Sequence, residues 1–233
     1  MRAIAVVGFK KSGKTTLALE LARELKKLGR SVTLAKHSHH GFDDRADADT
    51  ARFRERADMV LGFSPGGSFV SWPAERPLTD LLPLVTTDFL VLEGGKSLGI
   101  MPRILIAPDE ATARELGPEL ALAVYGDAAV EGLMATRDVA GLARIAANEG
   151  FLLPGLDCGA CGRENCRGLA ADIVAGDATV EDCKALAGEV RISVGGRPLP
   201  LNPFVERFLK SGIRGMLAEL KGFGPGPVDI HLD

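Results

Sequence analysis

The chain has no basic excess, few aromatic residues and no long apolar run, and each lack excludes a class of function. Its 28 Lys and Arg are outnumbered by 31 Asp and Glu, for a net charge of −3. Proteins that grip a nucleic-acid backbone concentrate positive charge, so no nucleic-acid partner is expected. Aromatics make up 5% of the residues, too few for base-stacking platforms. No stretch approaches the ~18 apolar residues of a membrane span, so no membrane association is expected. Met1 to Val7 runs straight into a Gly-Lys loop and has no cleavage site of the secretory kind, which points to a cytoplasmic protein. Cysteine is scarce as well: there are four, all between Cys158 and Cys183. In a reducing compartment such a group indicates metal ligation rather than disulfides.

What is there is the composition of a folded protein. The 233 residues are 46% hydrophobic and 25% charged, which excludes a disordered or collagen-like chain. At ~150 residues per domain, one or two domains are expected. Arg2–Val7 reads as a buried strand, Thr15–Leu28 as a helix with Leu17, Leu21, Leu25 and Leu28 on one stripe, and Ser31–Lys36 as a second strand. Strand, loop, helix and strand in this order form a βαβ unit and require parallel pairing. Further strands are expected at Met59–Phe63, Ser68–Trp72, Asp88–Leu92, Arg103–Ala107 and Leu120–Tyr125. Helices are expected at Asp49–Ala57, over Pro77–Leu84, and from an Asp138 cap to Asn148. The alternation predicts an α/β protein with a mostly parallel sheet flanked by helices. The composition changes near Pro154, which suggests domains at 1–150, 151–190 and 191–233. The last comprises a hairpin around Gly195-Gly196 and a helix capped by Asn202 with Pro203 at its first position. That helix carries an apolar stripe including Val205, Phe208, Leu209 and Ile213, read as core or dimer packing, with Phe204 and Phe208 assigned to packing.

Gly8-Phe9-Lys10-Lys11-Ser12-Gly13-Lys14-Thr15 matches G-x-x-x-x-G-K-[ST] and stands between a strand and a helix. That spacing lets backbone N–H groups wrap a β-phosphate. Lys14 sets a cation against the β- and γ-phosphates, and the Thr15 hydroxyl reaches Mg²⁺. Gly8, Lys11, Ser12, Gly13, Lys14, Thr15 and Thr16 are therefore the expected nucleotide-binding residues. Lys14 and Glu93 are the catalytic candidates. Glu93 ends the Asp88-Phe89-Leu90-Val91-Leu92-Glu93 run, at the strand end where ligands bind in open α/β sheets. It is assigned to Mg²⁺ or to the attacking water, with Asp88, at the other end, structural. The loop after Lys36 holds His37, His39 and His40, then Asp43, Asp44, Asp47 and Asp49. It is read as shaping the nucleotide or substrate pocket rather than as a transition-metal site. Lys36 is the candidate for phosphate contact and Asp43 for Mg²⁺.

The cysteines run Cys158-x2-Cys161-x4-Cys166-x16-Cys183, with Gly159 and Gly162 beside the first two. Four thiolates suit one [4Fe–4S] cube, one [2Fe–2S] cluster or one Zn²⁺. Zinc sites more often show two close Cys pairs, and here there is one.

Two resemblances sharpen this reading. Gly8–Thr16, Lys36–Asp43 (KHSHHGFD), the Asp-rich stretch into Thr50–Ala57, and Phe89–Gly94 together resemble the MobB family of molybdopterin-guanine dinucleotide biosynthesis adapter proteins, over about residues 1–150. The resemblance implies a GTP-binding P-loop fold, slow GTP hydrolysis and a dimer. It also implies a supporting role when a molybdopterin guanylyltransferase attaches GMP to molybdopterin. The family's usual Glu-Gly-Phe-Lys is Glu93-Gly94-Gly95-Lys96 here, and Phe9 stands where broader relatives place a lysine. Thr136-Arg137-Asp138 is only a faint echo of a guanine-reading N-K-x-D, so GTP over ATP follows from the resemblance. Residues 156–185 resemble the four-cysteine domain of corrinoid iron–sulfur proteins and Rnf-complex B subunits, which implies a [4Fe–4S] cluster on Cys158, Cys161, Cys166 and Cys183, with zinc as the alternative. The function expected is a GTP-binding accessory protein of molybdenum or tungsten cofactor maturation. The alternatives are a nucleotide-driven iron–sulfur electron-transfer or cluster-delivery protein, or a P-loop small-molecule kinase.

Overall fold

The computed structural model describes residues 1–38, 52–194, 197–224 and 226–230. The chain divides into two compact units, Met1–Leu152 and Leu153–Asp233. Of the expected helix over Asp49–Ala57, residues 49–51 lie outside the described residues, as do His39, His40 and Asp43, while residues 52–54 are helical and 55–56 form a turn. Among the described residues no helix is long and apolar enough to cross a membrane.

The first unit is built on a six-stranded sheet. Its strands are β1 (Arg2–Gly8), β2 (Val32–Lys36), β5 (Phe89–Glu93), β6 (Arg103–Ile106), β7 (Ala121–Tyr125) and β8 (Met134–Thr136). Their order is β2-β5-β1-β6-β7-β8, and every pair is parallel. The strongest apolar runs take the centre: Ala3 to Val7 and Phe89 to Leu92 are buried throughout, as strands covered on both faces must be. The helix α1 (Lys14–Lys27) buries Leu17, Leu21 and Leu25, and α4 (Val139–Glu149) buries Leu142, Ala143 and Ala146. These side chains close over Ile4, Val6, Phe89, Val91, Ile104 and Ala123 in one core. The chain leaves α1 through Gly29, at φ 77°, where Arg30 N–H donates to the Leu25 carbonyl and satisfies a helix-end acceptor.

Asp88 ties the start of β5 to the start of β2. Its carboxylate accepts from the Ser31 hydroxyl at 2.7 Å and the Ser31 N–H at 3.1 Å, while its own N–H donates to the Ser31 Oγ at 2.9 Å. The Ser31 hydroxyl bond, then the Ser31 N–H, holds this carboxyl below its ordinary range. Arg103 is fully buried although it sits in an apolar strand. Its guanidinium donates to the Leu116 carbonyl at 2.6 Å and the Leu98 carbonyl at 2.9 Å, pinning two loops to the sheet.

Several expectations change in detail. β3 (Val60–Ser64) and β4 (Gly67–Ser71) pair with each other as an antiparallel ribbon outside the main sheet. The helix expected over Pro77–Leu84 is a single turn, α2 (Leu78–Leu81), followed by a 3₁₀ turn at Leu82–Leu84, because Pro83 offers no N–H to continue it. Asp138 occupies the cap position of α4 but accepts no capping bond; its carboxylate lies 3.5 Å from Arg144. A short helix α3 (Glu110–Glu115), capped by Asp109 accepting from Thr112 N–H at 2.7 Å, and the edge strand β8 are additions.

In the second unit, α5 (Cys166–Ala175) is capped by Asn165 and ends at Gly176, φ 85°. β9 (Ile192–Val194) and β10 (Arg197–Leu199) pair antiparallel; the turn between them lies outside the described residues. The helix α6 (Pro203–Ala218) begins as the sequence predicts, with Asn202 Oδ1 accepting from Val205 N–H at 2.9 Å. Its apolar stripe is not core: Phe204 and Phe208 are each 69% exposed, and no residue of the helix is buried. Polar bonds hold it instead, with the Glu206 carboxylate accepting from the N–H groups of Glu189 and Val190 at 2.6 and 3.0 Å.

Two outcomes test these contacts. Leu142→Ala empties a site with no solvent access and is expected to cost about 2–5 kcal/mol in urea unfolding. Asp88→Asn addresses a carboxyl whose folded pKa is depressed, so its contribution is present above the unfolded value of ~3.9 and lost as pH falls through the folded value. The melting-temperature gap between wild type and Asp88→Asn is therefore expected to be full near neutral pH and to close in acid. A gap independent of pH would show that the Ser31 bonds do not favour the ionised form.

Candidate functional site

The loop between β1 and α1 is shaped to wrap something small. Lys11 and Gly13 both take left-handed backbone, φ 64° and 94°. A Cβ on Gly8 would lie 2.5 Å from the Ser12 Oγ and 3.1 Å from the Ile106 carbonyl, so only glycine fits. The Ser12 Oγ is buried and has no hydrogen-bond partner among the described residues. At the helix start, Gly13 supplies no side-chain cap and the first turn carries no acidic residue. The leading N–H groups of α1 thus face the loop with their partial positive charge uncompensated by side chains. A buried hydroxyl without a partner and an uncapped helix start are what an anion in the loop would satisfy. Lys14 meanwhile donates to the Phe9 carbonyl at 2.6 Å. Lys11 and Thr16 are exposed on the loop rim and first turn.

Strand register brings the other groups here. Glu93 is level with Val6 on one side and Lys36 on the other. All three strands point their carboxyl ends at the loop, and Glu93 meets α1: Thr15 Oγ1 donates to Glu93 Oε2 at 2.9 Å. The Lys36 ammonium lies 3.8 Å from the same oxygen. A hydroxyl, a carboxylate and an ammonium therefore stand together at the mouth of the loop. His37 is fixed by its N–H to the Glu93 carbonyl at 2.9 Å, and its Nε2 lies 3.8 Å from Glu75, an ion pair when the ring is protonated. Of the expected set, Lys14, Thr15, Glu93, Lys36 and His37 gather at one edge. Arg137 pairs with Asp127 at 2.6 Å, so the Thr136-Arg137-Asp138 stretch is engaged locally.

One residue outside the expected set joins them. Gly94 and Gly95, at φ 91° and 70°, turn the chain after β5, and the Lys96 ammonium comes to rest 5.4 Å from the centroid of the Phe9 ring. The sequence signal was the Gly-Gly pair directly after a strand-end carboxylate, a place where only a turn can follow.

The second unit carries the thiols. None is in a disulfide; Cys158 is exposed, Cys161 and Cys166 are half-buried and Cys183 is buried. Gly159 and Gly162 take left-handed backbone, closed by Gly162 N–H to the Gly159 carbonyl at 2.9 Å. Asp157 Oδ1 accepts from Cys166 N–H at 2.7 Å, and Arg163 links the Cys161 carbonyl to Asp172 of α5 at 3.0 and 2.8 Å. Burial pushes the Cys166 and Cys183 thiols up, and the nearby Cys158 and Cys161 add to the rise at Cys183. Among the described residues no three His, Cys, Asp or Glu side chains converge closely enough for one metal ion. Four soft sulfur donors on glycine-hinged loops, with no oxygen or imidazole among them, are nevertheless a donor set that iron–sulfur clusters use. A cluster of several atoms is wider than one ion, so its ligands stand further apart.

Comparison with known proteins agrees with both halves. The family model MobB, "Molybdopterin guanine dinucleotide synthesis protein B", matches residues 3–124. A second model, "Putative Fe-S cluster", matches residues 153–185. A protein of Methanocaldococcus jannaschii described as a "Putative molybdopterin-guanine dinucleotide biosynthesis adapter protein" is 28% identical, covering 100% of this chain and 98% of that one. The crystal structure of Bacillus subtilis MobB superposes with a TM-score of 0.52 at 22% identity, over 63% of this chain and 97% of that chain. A second crystal structure, of molybdopterin-guanine biosynthesis protein B, gives 0.52 at 21% identity, over 63% and 98%.

Proposed function

The chain belongs to the MobB family of molybdopterin guanine dinucleotide synthesis proteins, and from that premise we propose that it is a GTP-binding, slowly GTP-hydrolysing adapter that also holds a [4Fe–4S] cluster. The observation that carries the nucleotide half is the vacant hydrogen-bonding demand of the loop: a partnerless buried Ser12 hydroxyl above Gly8, with the uncapped start of α1 beside it. Phosphate oxygens meet that demand from Gly8 to Thr16, and Lys14 exchanges the Phe9 carbonyl for the β- and γ-phosphates. Thr15 and Glu93, 2.9 Å apart, are the residues that would hold Mg²⁺, with Asp43 as a further candidate. The ion supplies charge neutralisation between the phosphates. Glu93 orients water with Lys36 balancing its charge. His37, His39 and His40 shape the acceptor side of the pocket. GTP rather than ATP follows from family membership.

In this reading the partner is a molybdopterin guanylyltransferase or another maturation protein of molybdoenzymes. The adapter acts as a homodimer in the cytoplasm. The apolar β3–β4 ribbon, with Leu61 60% and Phe63 86% exposed, supports association of copies. Cys158, Cys161, Cys166 and Cys183 would hold the cluster, which supplies one-electron chemistry; zinc on the same thiols is the runner-up. The domains proposed are 1–150, 151–190 and 191–233.

Lys14→Ala is expected to abolish GTP binding by calorimetry, since no other group replaces its charge in the loop; wild-type affinity in this variant would overturn the phosphate-loop reading. Glu93→Gln is expected to keep affinity within about threefold and slow turnover by on the order of 100-fold. Unchanged turnover would move the water-orienting role to a loop carboxylate. Anaerobically purified protein is expected to contain about four irons per chain. Any Cys→Ala change is expected to lose iron while nucleotide binding persists. Stoichiometric zinc with no iron would replace the cluster by a structural zinc site.

A further inference from the structure

Lys96 is an exposed ammonium beside the loop, 5.4 Å from the centroid of the Phe9 ring, and among the described residues it makes no hydrogen bond or ion pair. Its neighbours differ. Lys14 is bonded to the Phe9 carbonyl and Lys36 faces Glu93. A cation resting on an aromatic face has a weak, exposed partner that it can readily exchange for an anion.

The backbone that carries Lys96 is held firmly. Gly94 N–H donates to the Val6 carbonyl at 2.9 Å, which fixes the exit of β5 against β1. Gly95 is buried at φ 70°, and a Cβ there would come 2.7 Å from Leu92 Cδ2. Leu98 N–H closes a turn onto the Gly95 carbonyl at 2.9 Å, with Lys96 at its corner. The Leu98 carbonyl is in turn held by the buried Arg103 guanidinium at 2.9 Å. A pinned turn thus presents one long cationic side chain over the first residue of the loop after Gly8. The held backbone fixes where the charge is mounted, so only the side chain has to turn from the ring toward the loop.

We propose that Lys96 is a further catalytic residue of this chain: its ammonium leaves the Phe9 ring and contacts the γ-phosphate of a nucleoside triphosphate, stabilising the transition state of hydrolysis. The inference rests on the GTP-binding reading above. In the step, water attacks the γ-phosphorus and a new P–O bond forms. The bond from that phosphorus to the β–γ bridging oxygen breaks, its electron pair staying on the diphosphate, and the water's proton passes to the released phosphate. Lys96 transfers no proton and serves only as charge.

The test uses full-length wild type, Lys96→Ala and Lys96→Arg. Three quantities are measured: affinity for GTP and GDP, single-turnover hydrolysis, and affinity for GDP with aluminium fluoride, which imitates the transferring phosphoryl group. Lys96→Ala is expected to lower turnover by about 10- to 100-fold, with GTP and GDP affinities within about threefold. It should lose the extra affinity for the aluminium fluoride complex by a similar factor, at unchanged melting temperature. Lys96→Arg should recover most of both. Wild-type turnover and analogue affinity in Lys96→Ala would overturn the proposal, and so would equal losses of GTP and GDP affinity or a lowered melting temperature. Wild-type protein that bound no nucleotide would overturn the phosphate-loop reading and this inference with it.

Discussion

The parallel ladder through β1 and its two neighbours is the constraint on which the rest depends. Parallel pairing sends every strand's carboxyl end to one edge, and the register sets Val6, Glu93 and Lys36 side by side there. Because β1 ends in Gly8 and α1 begins at Lys14, the loop between them opens at that same edge. The Thr15–Glu93 hydrogen bond is then a consequence of topology: a residue in the first helical turn meets one that is 78 positions later in the chain. A slip of one residue in β5 would carry the Glu93 side chain to the other face of the sheet. Asp88 and Ser31, at the opposite ends of β5 and β2, help to exclude that slip.

The two units solve the folding problem differently. The first buries an extensive apolar core, with Leu17, Leu21, Leu25 and Leu142 closed over the sheet. The second has few buried side chains, among them Leu169, Ala170 and Cys183. It relies on caps and side-chain bonds to backbone: Asn165, Asn202, the Thr179–Asp182 capping box, Arg163 and Glu206. Polar bonds of this kind each add little net stability. A unit so built gains most from a group that ties its thiols together, and the family match over residues 153–185 concerns that same stretch.

Much of this was legible before any coordinates. The Gly8–Thr15 spacing, the Leu stripe of α1, the cap at Asn202 and the Cys spacing are local patterns, and local patterns survive in a linear string. Asp109 before Glu110, with an acceptor for Thr112, was a readable start for α3 that the short length of the helix concealed. Pro83 was a readable reason for the short α2. Three-residue β8 carries no alternation to detect, because a strand that short has no period. The α6 stripe shows the limit of such patterns: amphipathic spacing specifies a face but not what covers it, and of the two expectations, core or dimer packing, the exposure of Phe204 and Phe208 removes the first.

By itself the sequence determined the G-x-x-x-x-G-K-[ST] spacing of the loop after β1, the βαβ order and the spacing of the four cysteines, because each depends on residues close together in the chain. Only the tertiary structure decided which carboxylate meets Thr15, that Lys36 shares that carboxylate, that Arg103 is buried to hold two loop carbonyls, and that Lys96 returns over Phe9. Those contacts join residues far apart in sequence. They are set by strand order and register, which arise from packing the whole unit rather than from any local pattern.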